Sequence, residues 1–268
     1  FRDMIVTENL SGNNGGGIGI NGGHVSFHNT IVSYNQASND GGGIWIESLN
    51  NRIEATGQKG LVIEFNIAGS SAGGLRYGQG LYGSSVTYGF SNVHVKDNLS
   101  EYGSGGLQLD LWGSNSDFSL ENSYITGNKS KNGSSGGITV NSGGAEILFS
   151  NVVIGLNKCN DVGGLRIENT DLVLINSTIY KNLPYSNVAG SNTAVWMQDA
   201  AELHMWNSMI GGQQLLSAST GHNIEVASWG TADYTIEFVS SLLEGGLSTI
   251  DDPNNDITYV ANFASPQS

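Results

Sequence analysis

The stretch GGGIGI at Gly15–Ile20 returns as GGGIWI at Gly41–Ile46, AGGLRY at Ala72–Tyr77, SGGLQL at Ser104–Leu109, SGGITV at Ser135–Val140 and VGGLRI at Val162–Ile167. It then decays to NTAVWM at Asn192–Met197 and HNIEVA at His222–Ala227. The first aliphatic residues of these copies (Ile18, Ile44, Leu75, Leu107, Ile138, Leu165, Val195 and Ile224) lie 26 to 32 residues apart. A self-similar period of that length marks stacked coils, each of which buries its apolar face against its neighbours. Within a copy the aliphatic residues alternate, as a half-buried strand requires. Pairs such as Ile44/Ile46 and Leu107/Leu109 are therefore expected to point inward and stack at ~4.8 Å per coil. The glycines before them suit a tight corner with positive φ.

A second signature follows in each coil: a bulky residue, one spacer, Asn, and a second Asn six positions later. It reads Phe27-His28-Asn29 with Asn35, Phe90-Ser91-Asn92 with Asn98, Leu120-Glu121-Asn122 with Asn128, Phe149-Ser150-Asn151 with Asn157, and Leu174-Ile175-Asn176 with Asn182. Later versions drift, and the second coil keeps only Asn66. Asn is poor in a strand interior but tolerates the left-handed region and bonds backbone or its equivalent one coil away. These asparagines are expected to form structural ladders.

Three strands per turn predict an all-β chain, a single-stranded right-handed parallel β-helix of about eight to nine coils, with the hand that parallel crossovers favour. The whole of 1–268 reads as one solenoid: a partial first coil over 1–14, eight repeat coils over 15–246 and an irregular cap over 247–268. Ser48–Gly60 and Gly78–Val86 read as corner insertions.

The chain has 39 glycines, 3 prolines, and 24 acidic against 10 basic residues, a net charge of −14. That balance argues against nucleic acid or an anionic membrane surface as partner. No apolar run reaches the ~18 residues of a membrane helix, so no membrane insertion is expected. Cys159 stands alone and reads as a buried thiol. The chain starts at Phe1 with no signal peptide, and Met4–Asn9 resembles the late part of a coil. This end is read as uncapped, continued by a longer chain or met by another copy.

Together these features resemble the right-handed parallel β-helix repeats of bacterial surface and secreted proteins, above all the "choice-of-anchor" type. Coils of that type run as GGGI, then apolar-x-Asn-Ser/Thr-x-Ile, ending in Asn. Asn207-Ser208-Met209-Ile210, the run Val239–Gly246, Asp252-Pro253 and Ser265-Pro266 resemble that group's final coils. The likeness spans nearly the whole chain; an Asp-Gly stretch and sorting segment after Ser265-Pro266 are missing. The glycine pairs are more weakly similar to polymorphic outer-membrane autotransporters, whose phenylalanine motif has two spacers. The resemblance implies an extracellular or cell-surface location and a role in adhesion or surface structure.

Outward positions on the first strand of each coil should be Gly19, Trp45, Arg76, Gln108, Thr139, Arg166, Trp196 and Glu225, beside Asn21, Glu47, Gly78, Asp110, Asn141, Glu168, Gln198 and Ala227. Polar groups with aromatics suit glycan contact through Trp45, Arg76, Gln108, Arg166 and Trp196. The primary reading assigns no catalytic residue. The alternative is a polysaccharide lyase or glycoside hydrolase using Asp110, Glu168 and Arg166, with the carboxylates two coils or ~9–10 Å apart, near the spacing of an inverting pair. Charged residues also belong on any solvated sheet, where Arg76 would pair with Glu47 or Asp110 and Arg166 with Glu168 or Asn141. Asn169-Thr170-Asp171 imitates a polygalacturonase motif, but no Gly-His-Gly or Arg-Ile-Lys follows. No metal site is assigned: the histidines have no ligand spacing. Calcium is the one cofactor kept in view, although Glu101, Asp110 and Asp117 are spread over a loop and a strand.

The position two after the first Asn should face outward, yet it reads Ile31, Val62, His94, Tyr124, Val153, Thr178, Met209 and Leu242. Solvated sheet faces alternate to polar residues. A continuous apolar row is expected to be an interface, through Ile31, Val62, Tyr124, Val153, Met209 and Leu242. The partners it implies are a second copy or other surface-protein domains, with polysaccharide a further candidate.

Overall fold

Alternating aliphatics after each glycine pair form nine parallel strands in one sheet, from Ile18–Asn21 to Ile250–Asp251. The computed structural model describes residues 1–47, 53–80, 88–112, 117–143, 145–183, 193–212, 223–226, 234–244, 246–252 and 257–262. A second sheet of 14 strands runs from Ile5–Thr7 to Ile257–Asn262. The third face is formed by two-residue strands, Leu10–Ser11 to Lys129–Ser130. Among the described residues all the pairings are parallel, and each joins neighbouring coils, so the chain is a β-solenoid. No α-helix occurs among the described residues.

The inward rows are those the alternation predicts. Ile44, Ile46, Leu75, Leu109, Ile138, Val140, Leu165 and Ile167 have no exposed surface. Phe27, Phe90, Leu120, Phe149, Leu174, Met205 and Phe238, the bulky residues of the second signature, are buried in the same continuous core. Tyr77 meets Phe90 edge-on at 5.3 Å, and Phe90 meets Phe118 at 5.4 Å.

The coil count differs from the expected eight to nine. The third face has five strands, and bridges at Lys158 and Leu183 add two rungs, so about seven turns close on all three sides. Two residues per rung cannot hold that face alone, and the asparagine ladder beside it runs to Asn182; Gln213, its counterpart one coil on, lies outside the described residues, as do Asn192, His222, Ala227 and Ser265-Pro266. The expected irregular cap over 247–268 is corrected in part. Ile250–Asp251 pairs with Ile224–Val226, and Ile257–Asn262 pairs with Tyr234–Val239 over six residues, because Ile257 continues the apolar alternation onto the core. The Ser48–Gly60 insertion is likewise partly strand: Ile53–Glu64 is continuous, and its register against the previous coil jumps between His28–Thr56 and Thr30–Leu61. Glycines at φ +85° (Gly57) and +60° (Gly60) turn this bulge, which is why the second coil lacks a first Asn.

The two asparagines of each coil do different work. The first (Asn29, Asn92, Asn122, Asn151, Asn176, Asn207) takes φ of 45–59° and turns the long strand. The second is buried in a ladder. The Oδ1 of Asn66, Asn98, Asn128, Asn157 and Asn182 accepts both the backbone N–H and the side-chain Nδ2 of the equivalent Asn one coil earlier, at 2.9–3.1 Å. Each Nδ2 also donates to a strand carbonyl, as Asn98 does to Ile63 at 2.9 Å. The glycine pairs are corrected with it. Positive φ falls on the residue before them, Gly15, Gly41 or Ala72, while the pairs themselves avoid the left-handed region. Their need for glycine is steric. A Cβ on Gly17, Gly43, Gly74, Gly106, Gly137 or Gly164 would lie 2.8–2.9 Å from the ladder's Nδ2 atoms, and one on Gly73 would lie 2.5 Å from the Leu99 carbonyl oxygen.

Replacing Asn98 by Ala removes the acceptor of two buried donors on Asn66, at about 1–3 kcal/mol each. Urea denaturation should therefore show a loss of roughly 2–5 kcal/mol, whereas Asn122→Gly, at an exposed left-handed corner, should stay within about 0.5 kcal/mol. Equal losses would contradict this division of roles.

Candidate functional site

The outward row of the first sheet is assembled in register: Gly19, Trp45, Arg76, Gln108, Thr139, Arg166, Trp196 and Glu225 are successive cross-strand partners. Beside it run Asn21, Glu47, Gly78, Asp110, Asn141, Glu168 and Gln198. The five residues expected to contact glycan thus share one ladder, and Asp110 and Glu168 stand two rungs apart with Asn141 between them.

The charges on this strip are engaged with one another. Arg76 donates from Nε to Asp110 Oδ2 at 3.0 Å and reaches Asp40 with Nη1. Gln108 Nε2 donates to both Asp110 oxygens at 3.1 Å. Burial opposes the charge of Arg76, but Asp110 and Asp40 outweigh it and hold the guanidinium above its ordinary range. Arg166 pairs with Glu168 through Nε, with Asp161 at 3.2 Å and with Gln198 at 3.2 Å. Asn141 Nδ2 donates to Glu168 Oε2 at 3.2 Å. The Arg166 guanidinium also lies 3.9 Å from the Trp196 ring centroid, leaving that ring 9% exposed. Trp196 therefore offers a sugar little of its face, while Trp45 remains half-buried and Glu47 exposed. The Asp110 oxygens accept N–H donors from Arg76 and Gln108, and the group is 8% exposed.

Sequence reasoning paired Arg76 with Glu47 or Asp110 and Arg166 with Glu168 or Asn141. It missed Asp40 and Asp161, which sit in the corners just before Gly41 and Val162-Gly163. The available signal was an acid preceding the glycine motif in both coils.

It also missed a row on the second sheet. Glu146, Asp171 and Glu202 are consecutive partners, and His204 is flanked by Glu237 at 2.9 Å and Glu202 at 3.3 Å. Burial, then Glu202 and Glu146, push the Asp171 carboxyl above its ordinary value, while His204 pulls the other way. Among the described residues no three His, Cys, Asp or Glu side chains form a metal-holding group. Glu101 pairs with Lys131 at 2.8 Å. Burial pushes the Cys159 thiol up, and its Sγ lies 3.1 Å from the Gly133 carbonyl oxygen.

The apolar row is equally regular. Ile5, Ile31, Val62, His94, Tyr124, Val153, Thr178, Met209 and Leu242 pair in succession. Tyr124, Met209 and Leu242 are exposed, and Ile31, Val62 and Val153 half-buried. Burial, then the Lys96 charge, pushes the His94 imidazole below its ordinary value, and His94 meets Tyr124 edge-on at 4.9 Å.

No protein-family model, curated protein or solved structure matches the chain.

The raised Asp171 pKa has a signed consequence. Its charge is a cost present only once pH rises through that value, so the group's contribution to stability is fully present in acid and lost toward neutrality. Asp171→Asn should raise the melting temperature at pH 7 by up to about 2 °C, and the gain should shrink on acidification below the usual carboxylate range. A gain independent of pH would contradict this.

Proposed function

We propose that this chain is a non-catalytic extracellular β-helix scaffold, an adhesin-like surface module or filament subunit that works by contact along its faces. The observation that carries the reading is the internal pairing of the polar strip: Arg76 with Asp110 and Asp40, Arg166 with Glu168 and Asp161. Catalytic groups are poised toward a substrate position, whereas these are held by one another. The likeness of the repeats to choice-of-anchor surface proteins, and the acidic composition, support placement at the cell surface. Glycan contact would run along Trp45, Arg76, Gln108 and Arg166, whose side chains keep some exposed surface.

The two-rung spacing of Asp110 and Glu168 favours a second reading, a carbohydrate-active enzyme using Arg166 beside them. Incubating the chain, with and without calcium, against plant, algal and bacterial polysaccharides separates the two. The scaffold reading expects no new chain ends, and Asp110→Asn and Glu168→Gln to behave as the parent. Chain ends released by the parent and lost in either variant would make the protein an enzyme.

A further inference from the structure

We infer that the strip's carbohydrate subsite is the step formed by Trp45 and Glu47, and that it takes a cationic glycan, a chain of amino sugars. The inference rests on the reading of the first sheet as a glycan-contacting face and names the sugar that this face selects. Of the two tryptophans on the strip, Trp196 is capped by the Arg166 guanidinium at 3.9 Å and is 9% exposed. Trp45 also has an arginine one coil on. Arg76, however, is held by Asp40 and Asp110, and no cation–π contact among the described residues joins it to Trp45. One coil back the partner of Trp45 is Gly19, where a Cβ would meet nothing within 4 Å. The neighbouring row repeats the step. Glu47 lies between Asn21 and Gly78, and a Cβ on Gly78 would meet only the Ile46 carbonyl oxygen at 4.0 Å. An aromatic ring and a carboxylate thus stand on one strand with an open rung beside each.

Charge decides the ligand. Arg76 already holds Asp40 and Asp110, and Arg166 holds Asp161 and Glu168. Glu47 and Glu225, outward on the same sheet, bring the carboxylates to six against two guanidiniums. A uronate or sulfated chain would meet that excess and a net charge of −14, with both guanidiniums committed. Glu47 is exposed, and among the described residues no hydrogen bond or ion pair engages its carboxylate. It can take an ammonium while the Trp45 ring takes the C–H face of the pyranose, and the ring's own quadrupole also attracts a cation. Two apart on a strand, the side chains are ~7 Å from each other, close enough for one amino sugar to touch both.

Isothermal titration calorimetry at about pH 6, where a sugar amine carries its proton, tests this with glucosamine, N-acetylglucosamine and galacturonate oligosaccharides of equal length. The glucosamine oligomer should bind at least about threefold more tightly than its acetylated counterpart, by a margin that shrinks as salt is raised. Galacturonate should give no heat of binding. Trp45→Ala should weaken both amino-sugar oligomers about tenfold. Gly19→Leu, which fills the open rung and leaves Trp45 in place, should weaken them too with an unchanged circular dichroism spectrum. Glu47→Gln should abolish the preference for the free amine, while Glu146→Gln, at an exposed acid of the second sheet, should leave it intact. Equal sensitivity to the two Gln variants would assign the preference to the charge of the whole chain and overturn the subsite, as would binding indifferent to Trp45→Ala. Galacturonate bound more tightly than glucosamine would overturn the charge assignment and leave glycan contact standing. Failure of all three oligomers to bind would overturn the subsite and leave a scaffold without glycan contact, whereas release of new chain ends would overturn the scaffold and leave the order of binding.

Discussion

An asparagine carboxamide that must accept from the coil before it and donate to the coil after it fixes where consecutive coils can lie. In the run from Asn35 to Asn157 each amide oxygen takes two N–H groups and each amide nitrogen reaches a strand carbonyl and the next amide. Such a fully satisfied polar column inside a low-dielectric interior is strong and unforgiving, since one missing member strands its neighbours. The glycine pairs are the other half of the same device. They let the first strand pass against the column at a distance that a Cβ would forbid. Short third-face strands of two residues close the coil because this corner is already held.

Once coil spacing is fixed from within, outward side chains line up as rows. Three rows differ in character. The first sheet's strip sets its two arginines between four acids, the Glu146–Asp171–Glu202 row leaves carboxylates side by side, and the row through Tyr124 carries no formal charge along its nine described rungs. Under the proposed reading, contact would run along such rows.

Much of the fold was legible in sequence because period and alternation are long-range statements repeated many times. Ile44/Ile46 and Leu165/Ile167 point inward, and Trp45, Arg76, Gln108 and Arg166 share one ladder, as the spacing alone requires. The glycines were misread in their reason: sequence cannot separate a glycine that turns the chain from one that another element touches, and the touching amide lies more than 15 residues away. The tail was misread because Ile257 and its neighbours repeat the alternation without the glycine pair. At the site, row membership was legible but pairing was not. Whether Arg76 turns to Glu47, Asp110 or Asp40 depends on rotamer and corner geometry, and the corner before Gly41 brings Asp40 within reach. The His204 row was invisible because its members belong to different coils and to no repeated motif.

Amide hydrogen exchange resolved by residue tests the central claim most directly. The backbone N–H groups of Asn35, Asn66, Asn98, Asn128 and Asn157 sit at corners, where exchange is ordinarily fast. Held by the next amide oxygen, they should be among the slowest in the chain, as protected as the core strands Ile44–Glu47 and Ile138–Asn141. Exchange at these five positions as rapid as that of freely solvated surface amides would contradict the account.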